Sequence, residues 1–345
     1  MINSLCERIR EIYQFPHKYL SPTLQPFKGN IDSSEQQHHF LVFLKPELLS
    51  LEEKVNLEAV LEFVFEHFRE WNIRIEGIRN LSGMYLRKEH IISRNYETLH
   101  KISYGGWNFC SEKVKNLLRE EFKKELTPLT QILGGHQFLE AHSEITPLLL
   151  NEMINLLTTK KLGSGVYAVY LEYSGNSYVL LNAFHPHQIE SLTKPGTCII
   201  ALECYSSLSW VTLRREVIGT IYPQYAQEGS FRRKLYEKKD FLNLKTIDIS
   251  NNGLHISPGP LEAAFQLLNF FVPEYESTNS APMPSILKSL ENKNFPKDYL
   301  FSLKENPHVK KEPDLLESPL FEWTEDMNND EVYDLIKMLY NKTIL

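Results

Sequence analysis

The residues of this sequence that are best suited to chemistry are two arginines and a histidine. Arg215 and Arg232 flank a segment rich in turn-forming residues. Two guanidinium groups that meet at one point suit phosphate oxygens, because each planar group donates paired hydrogen bonds and keeps its charge. His255 lies just before a predicted helix. A neutral imidazole can attack phosphorus while arginines offset the developing negative charge. The pattern indicates phosphoryl transfer; the alternative is a structural histidine with ordinary surface arginines.

Four segments carry a resemblance to a known family. The segment from Arg215 to Arg232 resembles the nucleoside diphosphate kinase pattern R-x-x-x-G-x-T-x-P-x-x-A-x-x-G-T-x-R. Its matching positions lie in register without a gap: Arg215, Gly219, Pro223, Ala226, Gly229 and Arg232. The string N-G-L-H-I-S at 252–257 is similar to the family's N-x-x-H-G-S. Residues 40–47 resemble its opening strand with the K-P-D motif, and residues 86–96 resemble the helix that ends in its phosphate-contacting tyrosine.

The resemblance implies a fold and a site. The fold would be α+β, with a ferredoxin-like antiparallel sheet of the nucleoside diphosphate kinase type, helices on its faces, and inserted helix and hairpin elements. His255 would become phosphohistidine, and Gln266 would orient its ring. The implied residues around the nucleotide phosphates and sugar are Lys45, Tyr96, Arg215, Ser230, Arg232 and Asn252. The implied ligands are ATP or another NTP and Mg²⁺, held mainly by phosphate oxygens and with no protein metal ligand.

The sequence departs from the family pattern at four positions. Ile221 replaces a threonine whose hydroxyl would bond a phosphate, and Ser230 replaces a second threonine. Pro258 stands where the family has an acidic residue. Gln266 replaces the glutamate that orients the imidazole; it can accept a hydrogen bond but cannot stabilise positive charge on the ring as a carboxylate would. Loss of a charge-assisted bond costs about 1–2 kcal/mol, or about five- to thirtyfold in rate.

Two classes of function follow from this pattern. The first is a phosphotransferase that moves the γ-phosphoryl of an NTP through phospho-His255 to a nucleoside diphosphate or another small-molecule acceptor. The second is a weakly active or inactive nucleotide-binding module used for sensing or scaffolding, which the substitutions at 221, 258 and 266 favour. Direct transfer to the acceptor, with His255 as a base, is a third route.

The expected domain is longer than the family requires. We predict an N-terminal extension at 1–38, a nucleoside diphosphate kinase-like domain at 39–272 with an insertion at about 110–195, and a C-terminal extension at 273–345. The family often forms hexamers, and the insertion could block that assembly, so the oligomeric state stays open. Hydrophobic periodicity predicts helices at 4–13, 50–71, 86–96, 111–126, 145–158, 261–271 and 330–340, with strands at 39–44, 73–78, 165–172, 177–182 and 197–204 and a loop-rich region at 219–253.

Composition excludes several other classes. The chain has 37 basic and 44 acidic residues and a net charge of −7, whereas a dedicated binder of nucleic acid or anionic membrane would show a basic excess. The absence of an N-terminal leader pattern and of a long apolar run predicts a cytoplasmic protein. The four cysteines form no metal-binding spacing and are expected to be buried thiols. The histidines at 136, 142, 185 and 187 lack acidic or thiol partners at useful spacing, so no metal site is predicted.

Overall fold

The computed structural model describes residues 1–17, 37–272, 283–311 and 316–344. They form two compact units, unit 1 (Met1–Glu89 with Pro195–Leu345) and unit 2 (His90–Lys194). Parts of both predicted extensions, at 18–36, 273–282 and 312–315, lie outside the described residues. The domain boundaries expected from the family pattern stay a prediction.

The described residues contain ten strands. In chain order they are β1 (His38–Leu44), β2 (Arg74–Ser82), β3 (Gln131–Gly134), β4 (Thr159–Gly163), β5 (Val166–Tyr173), β6 (Asn176–Leu181), β7 (Cys198–Ser206), β8 (Leu254–Ile256), β9 (His308–Lys311) and β10 (Leu316–Pro319).

Sixteen α-helices are described in the same ranges. They are α1 (Ile2–Gln14), α2 (Leu57–Glu70), α3 (Gly83–Lys88), α4 (Ile91–Asn95), α5 (Glu97–Gly105), α6 (Glu112–Glu121), α7 (Gly135–Ala141), α8 (Pro147–Asn155), α9 (His185–Thr193), α10 (Trp210–Thr212), α11 (Phe231–Glu237), α12 (Pro260–Phe271), α13 (Ser285–Asn292), α14 (Lys297–Ser302), α15 (Leu320–Thr324) and α16 (Asn329–Ile344). Short 3₁₀ turns cover Pro46–Leu48, Gly106–Phe109, Pro223–Tyr225 and Leu303–Glu305, and a π-helical turn covers Leu213–Ile218.

Unit 1 is built on an antiparallel sheet with the strand order β2-β7-β1-β8. Every residue of β1 is buried, as expected for an apolar strand in the middle of a sheet that is covered on both faces. In the register of this sheet, Phe43 of β1 lies opposite His255 of β8. The prediction of a mixed fold with an antiparallel sheet and many helices is confirmed, whereas the ferredoxin-like connection stays a prediction.

The two faces of this sheet pack against different helices. Because side chains alternate along a strand, Phe40, Val42 and Leu44 enter one apolar cluster, which they share with α1 and α2. Phe43 points to the other face, where its ring stacks on Phe270 of α12 at a centroid distance of 5.5 Å. A further apolar cluster joins α12 to the C-terminal helices α13 to α16. The four cysteines are buried free thiols, as predicted.

Unit 2 has its own four-stranded sheet, with the order β3-β6-β5-β4. β3 is parallel to β6, and the other pairs are antiparallel. The predicted hairpin is confirmed: β5 pairs with β6 through a turn in which Ser174 and Gly175 have φ values of 49° and 77°. Positive φ at both central residues gives the turn that matches strand twist. Apolar clusters flank this sheet.

Three predicted elements differ from the structure. The helix predicted at 50–71 begins at Leu57, because Asn56 caps it by accepting a hydrogen bond from the backbone N–H of Ala59 at 3.3 Å. The helix predicted at 86–96 is divided into α3 and α4 by His90, whose φ is 52°. The region predicted as loop-rich, 219–253, contains α11, which buries Phe231 and Leu235 on successive turns.

The cap of α2 should contribute measurably to stability. Replacing Asn56 with alanine removes the oxygen that accepts from Ala59 N–H, so the free energy of unfolding should fall by about 1 kcal/mol in urea titration. Asn56→Asp keeps the acceptor and should behave like the wild type. Equal losses in both variants would contradict capping as the cause.

Candidate functional site

His255 lies on the edge strand β8, immediately before the segment that leads into α12. Its half-buried ring stacks on Phe43, with the centroids 4.7 Å apart and an angle of 18° between the planes. The strand pairing and the stack fix the ring on the sheet face that α12 covers.

Gln266 lies against the imidazole that it is predicted to orient. Its Oε1 lies 3.3 Å from Nε2 of His255 and accepts a hydrogen bond from Oγ of Ser257 at 2.7 Å. Its Nε2 donates to Oε1 of Glu262, one helical turn away, at 2.9 Å. A carbonyl oxygen only accepts, so Nε2 of His255 carries the proton and Nδ1 carries the lone pair of the neutral ring.

The electrostatic surroundings keep this ring neutral. Burial lowers the pKa of His255 to about 3; the hydrogen bond to Gln266 acts in the opposite direction, and the charges of Lys45, Arg232 and Arg214 lower the pKa further. At neutral pH the imidazole therefore retains its nucleophilic lone pair. The same positive charges would stabilise anionic oxygen atoms that approached the ring.

Lys45 and Asn252 meet next to the histidine strand. Nζ of Lys45 donates to Oδ1 of Asn252 at 2.8 Å and to the carbonyl oxygen of Ser250 at 3.2 Å. Burial lowers the pKa of Lys45, and the charge of Glu47 opposes that shift. Gly253 between Asn252 and the strand has a φ of 85°, and a Cβ atom there would lie 2.5 Å from a methyl of Leu235. The structure thus brings together two of the predicted phosphate and sugar ligands.

Arg232 is buried and bonded to the main chain. Its Nη1 donates to the carbonyl oxygen of Gly219 at 2.8 Å, and its Nη2 donates to that of Leu254 at 3.0 Å. The guanidinium therefore ties the start of the 219–229 loop to the strand that carries His255. Ser230 is also buried, and its Oγ donates to the carbonyl oxygen of Gln227 at 2.6 Å.

Arg214, which the sequence reasoning missed, also acts on His255: together with the charges of Lys45 and Arg232, its charge lowers the pKa of the ring. Arg214 pairs with Asp326 and, at 2.7 Å, with Glu325, and Nη1 lies 3.4 Å from the carbonyl oxygen of Pro258. The side chain of the predicted residue, Arg215, is 72% exposed and 3.8 Å from Asp326. Both arginines lie in a π-helical turn, which rotates successive side chains differently from an α-helix. The adjacent arginine pair was the available signal.

Tyr96, the last of the predicted ligands, belongs to unit 2, at the junction of α4 and α5. Its contact with phosphate stays a prediction. In the described ranges, no group of three or more His, Cys, Asp or Glu side chains is arranged to hold a metal ion, and the expected Mg²⁺ stays a prediction tied to the nucleotide. No helix among the described residues has the length and apolar character needed to cross a membrane.

Comparisons with known proteins give structural matches alone. No family model and no curated protein matches the chain. The solved structures that match include two nucleoside-diphosphate kinases.

The first is a transition state mimic from Borrelia burgdorferi with bound vanadate and ADP; it is 11% identical with a TM-score of 0.31, and the match covers 71% of this chain and 90% of that chain. The second, from Pyrobaculum aerophilum, is 14% identical with a TM-score of 0.34 and coverage of 69% and 97%. Likeness at this level assigns no family, activity or residue role to the chain.

Proposed function

We propose that this protein is a nucleotide-dependent phosphotransferase in which His255 accepts the γ-phosphoryl group of an NTP. The observation that carries the proposal is the state of the ring: a neutral imidazole held through Nε2 by Gln266, with its pKa lowered to about 3 by burial and by the charges of Lys45, Arg232 and Arg214. A histidine with only a structural role needs no set of cations around it.

The transfer would occur in two displacements. The lone pair on Nδ1 of His255 attacks the γ-phosphorus, the bond from phosphorus to the bridging oxygen breaks, and the nucleoside diphosphate leaves with that electron pair. Nε2–H stays hydrogen-bonded to Gln266 while the ring becomes positive. An anionic oxygen of the acceptor, a nucleoside diphosphate or another small molecule, then attacks the phosphorus, the bond from phosphorus to Nδ1 breaks, and its electron pair returns to Nδ1 and restores the neutral ring.

The neighbouring residues would bind and position the phosphates. Lys45 and Asn252 form a polar pair next to β8, and Lys45 would donate to phosphate oxygens on binding. Arg215 is exposed enough to reach a ligand. Mg²⁺ would neutralise phosphate charge while bound mainly to the nucleotide itself.

Trapping the phosphoenzyme tests the proposal. Incubation with γ-labelled ATP should give a protein-bound label that is stable in alkali and lost in acid, as expected for a phosphoramidate. Nucleotide binding without label would instead support the non-catalytic binding module, which the engagement of Arg214 by two carboxylates favours. Turnover of ATP with an acceptor but without trapped label would indicate direct transfer, with His255 as the base.

The carboxylates on Arg214 should weaken nucleotide binding. Asp326→Asn removes one of the two charges that Arg214 neutralises, so more positive potential should face the phosphates and the Kd for ATP should fall about fivefold, equivalent to about 1 kcal/mol. Calorimetric titration measures this change. Glu322→Gln removes the same charge from an exposed position on α15 and serves as the control; equal Kd values in the two variants would reject this role for Asp326.

A further inference from the structure

Glu262 contacts the residue that orients His255. It lies on α12, one turn before Gln266, and its Oε1 accepts from the amide Nε2 of Gln266 at 2.9 Å. The amide oxygen faces the opposite way, toward Ser257 and His255. Gln266 is only 4% exposed, so its orientation is set by these protein groups.

Only one orientation of the amide is compatible with an ionised Glu262. A carboxylate accepts hydrogen bonds and donates none, so it selects the orientation that turns the amide N–H toward it. The reversed amide would set its oxygen against the carboxylate oxygen, two acceptors at hydrogen-bonding distance. While Glu262 is ionised, the carbonyl oxygen of Gln266 therefore faces His255 and requires the proton on Nε2.

A protonated Glu262 removes this constraint, because its carbonyl oxygen can still accept from the amide N–H while its O–H can now donate. Its O–H can donate to the oxygen of the reversed amide, whose N–H groups then face Ser257 and His255. An N–H donor opposite Nε2 requires a lone pair on that nitrogen, so the ring proton moves to Nδ1. The nitrogen that would attack phosphorus is then blocked.

The surroundings of Glu262 place its ionisation near neutral pH. Burial raises its pKa to about 7, the charge of Glu325 raises it too, and Arg214 and the bond to Gln266 oppose the shift. The pKa of His255 is lowered to about 3 by burial and by the charges of Lys45, Arg232 and Arg214. This value lies below the pKa of Glu262, so His255 stays neutral while Glu262 titrates. A change between the two neutral tautomers of His255 therefore occurs in a different pH range from protonation of the ring, and the two can be measured separately.

We propose that Glu262 is a positioning residue that decides, through the amide of Gln266, which nitrogen of His255 carries the proton. The ionised form keeps Nδ1 as the nucleophile, and the protonated form withdraws it. The consequence for catalysis rests on the proposed phosphotransfer, whereas the tautomer can be measured without any reaction.

Nitrogen NMR of the imidazole tests the tautomer directly. In ¹⁵N-labelled full-length protein, with the His255 signals assigned by their loss in His255→Asn, Nε2 should be protonated above about pH 7 and Nδ1 below it. Glu262→Gln removes the titrating group and should abolish this midpoint, and Glu322→Gln should leave it unchanged. A wild-type ring without a midpoint between pH 5 and 9, or an unaltered midpoint in Glu262→Gln, would overturn the proposal.

Exchange of the two side chains should keep the ring proton on Nε2 at every pH tested. The double variant Glu262→Gln with Gln266→Glu keeps the total charge but places the carboxylate directly against Nε2 of His255, so that nitrogen should stay protonated from pH 6 to pH 9. Persistence of the wild-type midpoint in this variant would contradict the assignment to Glu262.

The rate of phosphohistidine formation tests the consequence. It should fall about tenfold from pH 8 to pH 6 in the wild type, because about a tenth of a group with a pKa near 7 is ionised at pH 6; this fall should be absent in the exchanged variant. If no phosphohistidine forms but the NMR midpoint is present, the proposed function is rejected and the tautomer change controlled by Glu262 still stands. Phosphohistidine formation without the midpoint rejects that tautomer change alone.

Discussion

Replacing His255 with asparagine should reduce protein-bound label from γ-labelled ATP to less than about 1% of the wild-type amount. The amide can occupy a similar space beside Phe43 and can still donate to Gln266, but it has no nucleophilic nitrogen lone pair because its nitrogen is conjugated with the carbonyl. The loss should therefore be chemical rather than structural. Label is measured after alkaline gel separation, with acid treatment to identify the phosphoramidate.

The matched control is a histidine in the other unit. His142 is half-buried, and its Nε2 is hydrogen-bonded to the hydroxyl of Tyr178 at 2.9 Å, yet it lies outside the unit that contains the cations around His255. His142→Asn should retain the label, and thermal unfolding should show that the variant at 255 is folded. Retention of label by folded His255→Asn would reject the phosphohistidine mechanism.

The sequence predicts the local parts of this site better than the long-range ones. The resemblance implied that Gln266 lies beside His255; the two residues are on consecutive elements, and Gln266 Oε1 lies 3.3 Å from Nε2 of the ring. The same argument could have included Glu262, which the helical period places one turn before Gln266. Glu262 was missed because the family pattern includes only residues that contact the histidine or the nucleotide, and Glu262 contacts Gln266 instead.

Contacts between distant segments needed the structure. The stack of His255 on Phe43 depends on the register between β1 and β8, and register follows from the packing of the complete sheet rather than from either segment. The C-terminal segment was expected as an undefined extension, and nothing in its composition predicted that Glu325 and Asp326 would pair with Arg214. The π-helical turn that separates the surroundings of Arg214 from those of Arg215 has no pattern in the residues themselves.

Replacing Arg232 with methionine should lower the free energy of unfolding of unit 1 by about 3 kcal/mol. The guanidinium donates to the carbonyl oxygens of Gly219 and Leu254 from a position that is 8% exposed. Methionine fills a similar volume but leaves both acceptors without these donors, and hydrogen bonds from a charged group contribute about 1.5–3 kcal/mol each. Urea unfolding, followed by circular dichroism, measures the loss.

Two further variants separate this role from phosphate binding. Arg232→Lys keeps the charge, but one ammonium group lacks the planar fork that reaches two carbonyl oxygens, so about 2 kcal/mol should still be lost. Arg215→Met removes an exposed arginine and should change stability by less than about 0.5 kcal/mol. If Arg232→Met weakened ATP binding without changing stability, Arg232 would be a phosphate ligand alone. A loss of stability in both variants at 232 would instead show that the buried arginine acts first by holding the loop at 219–229 against the strand of His255.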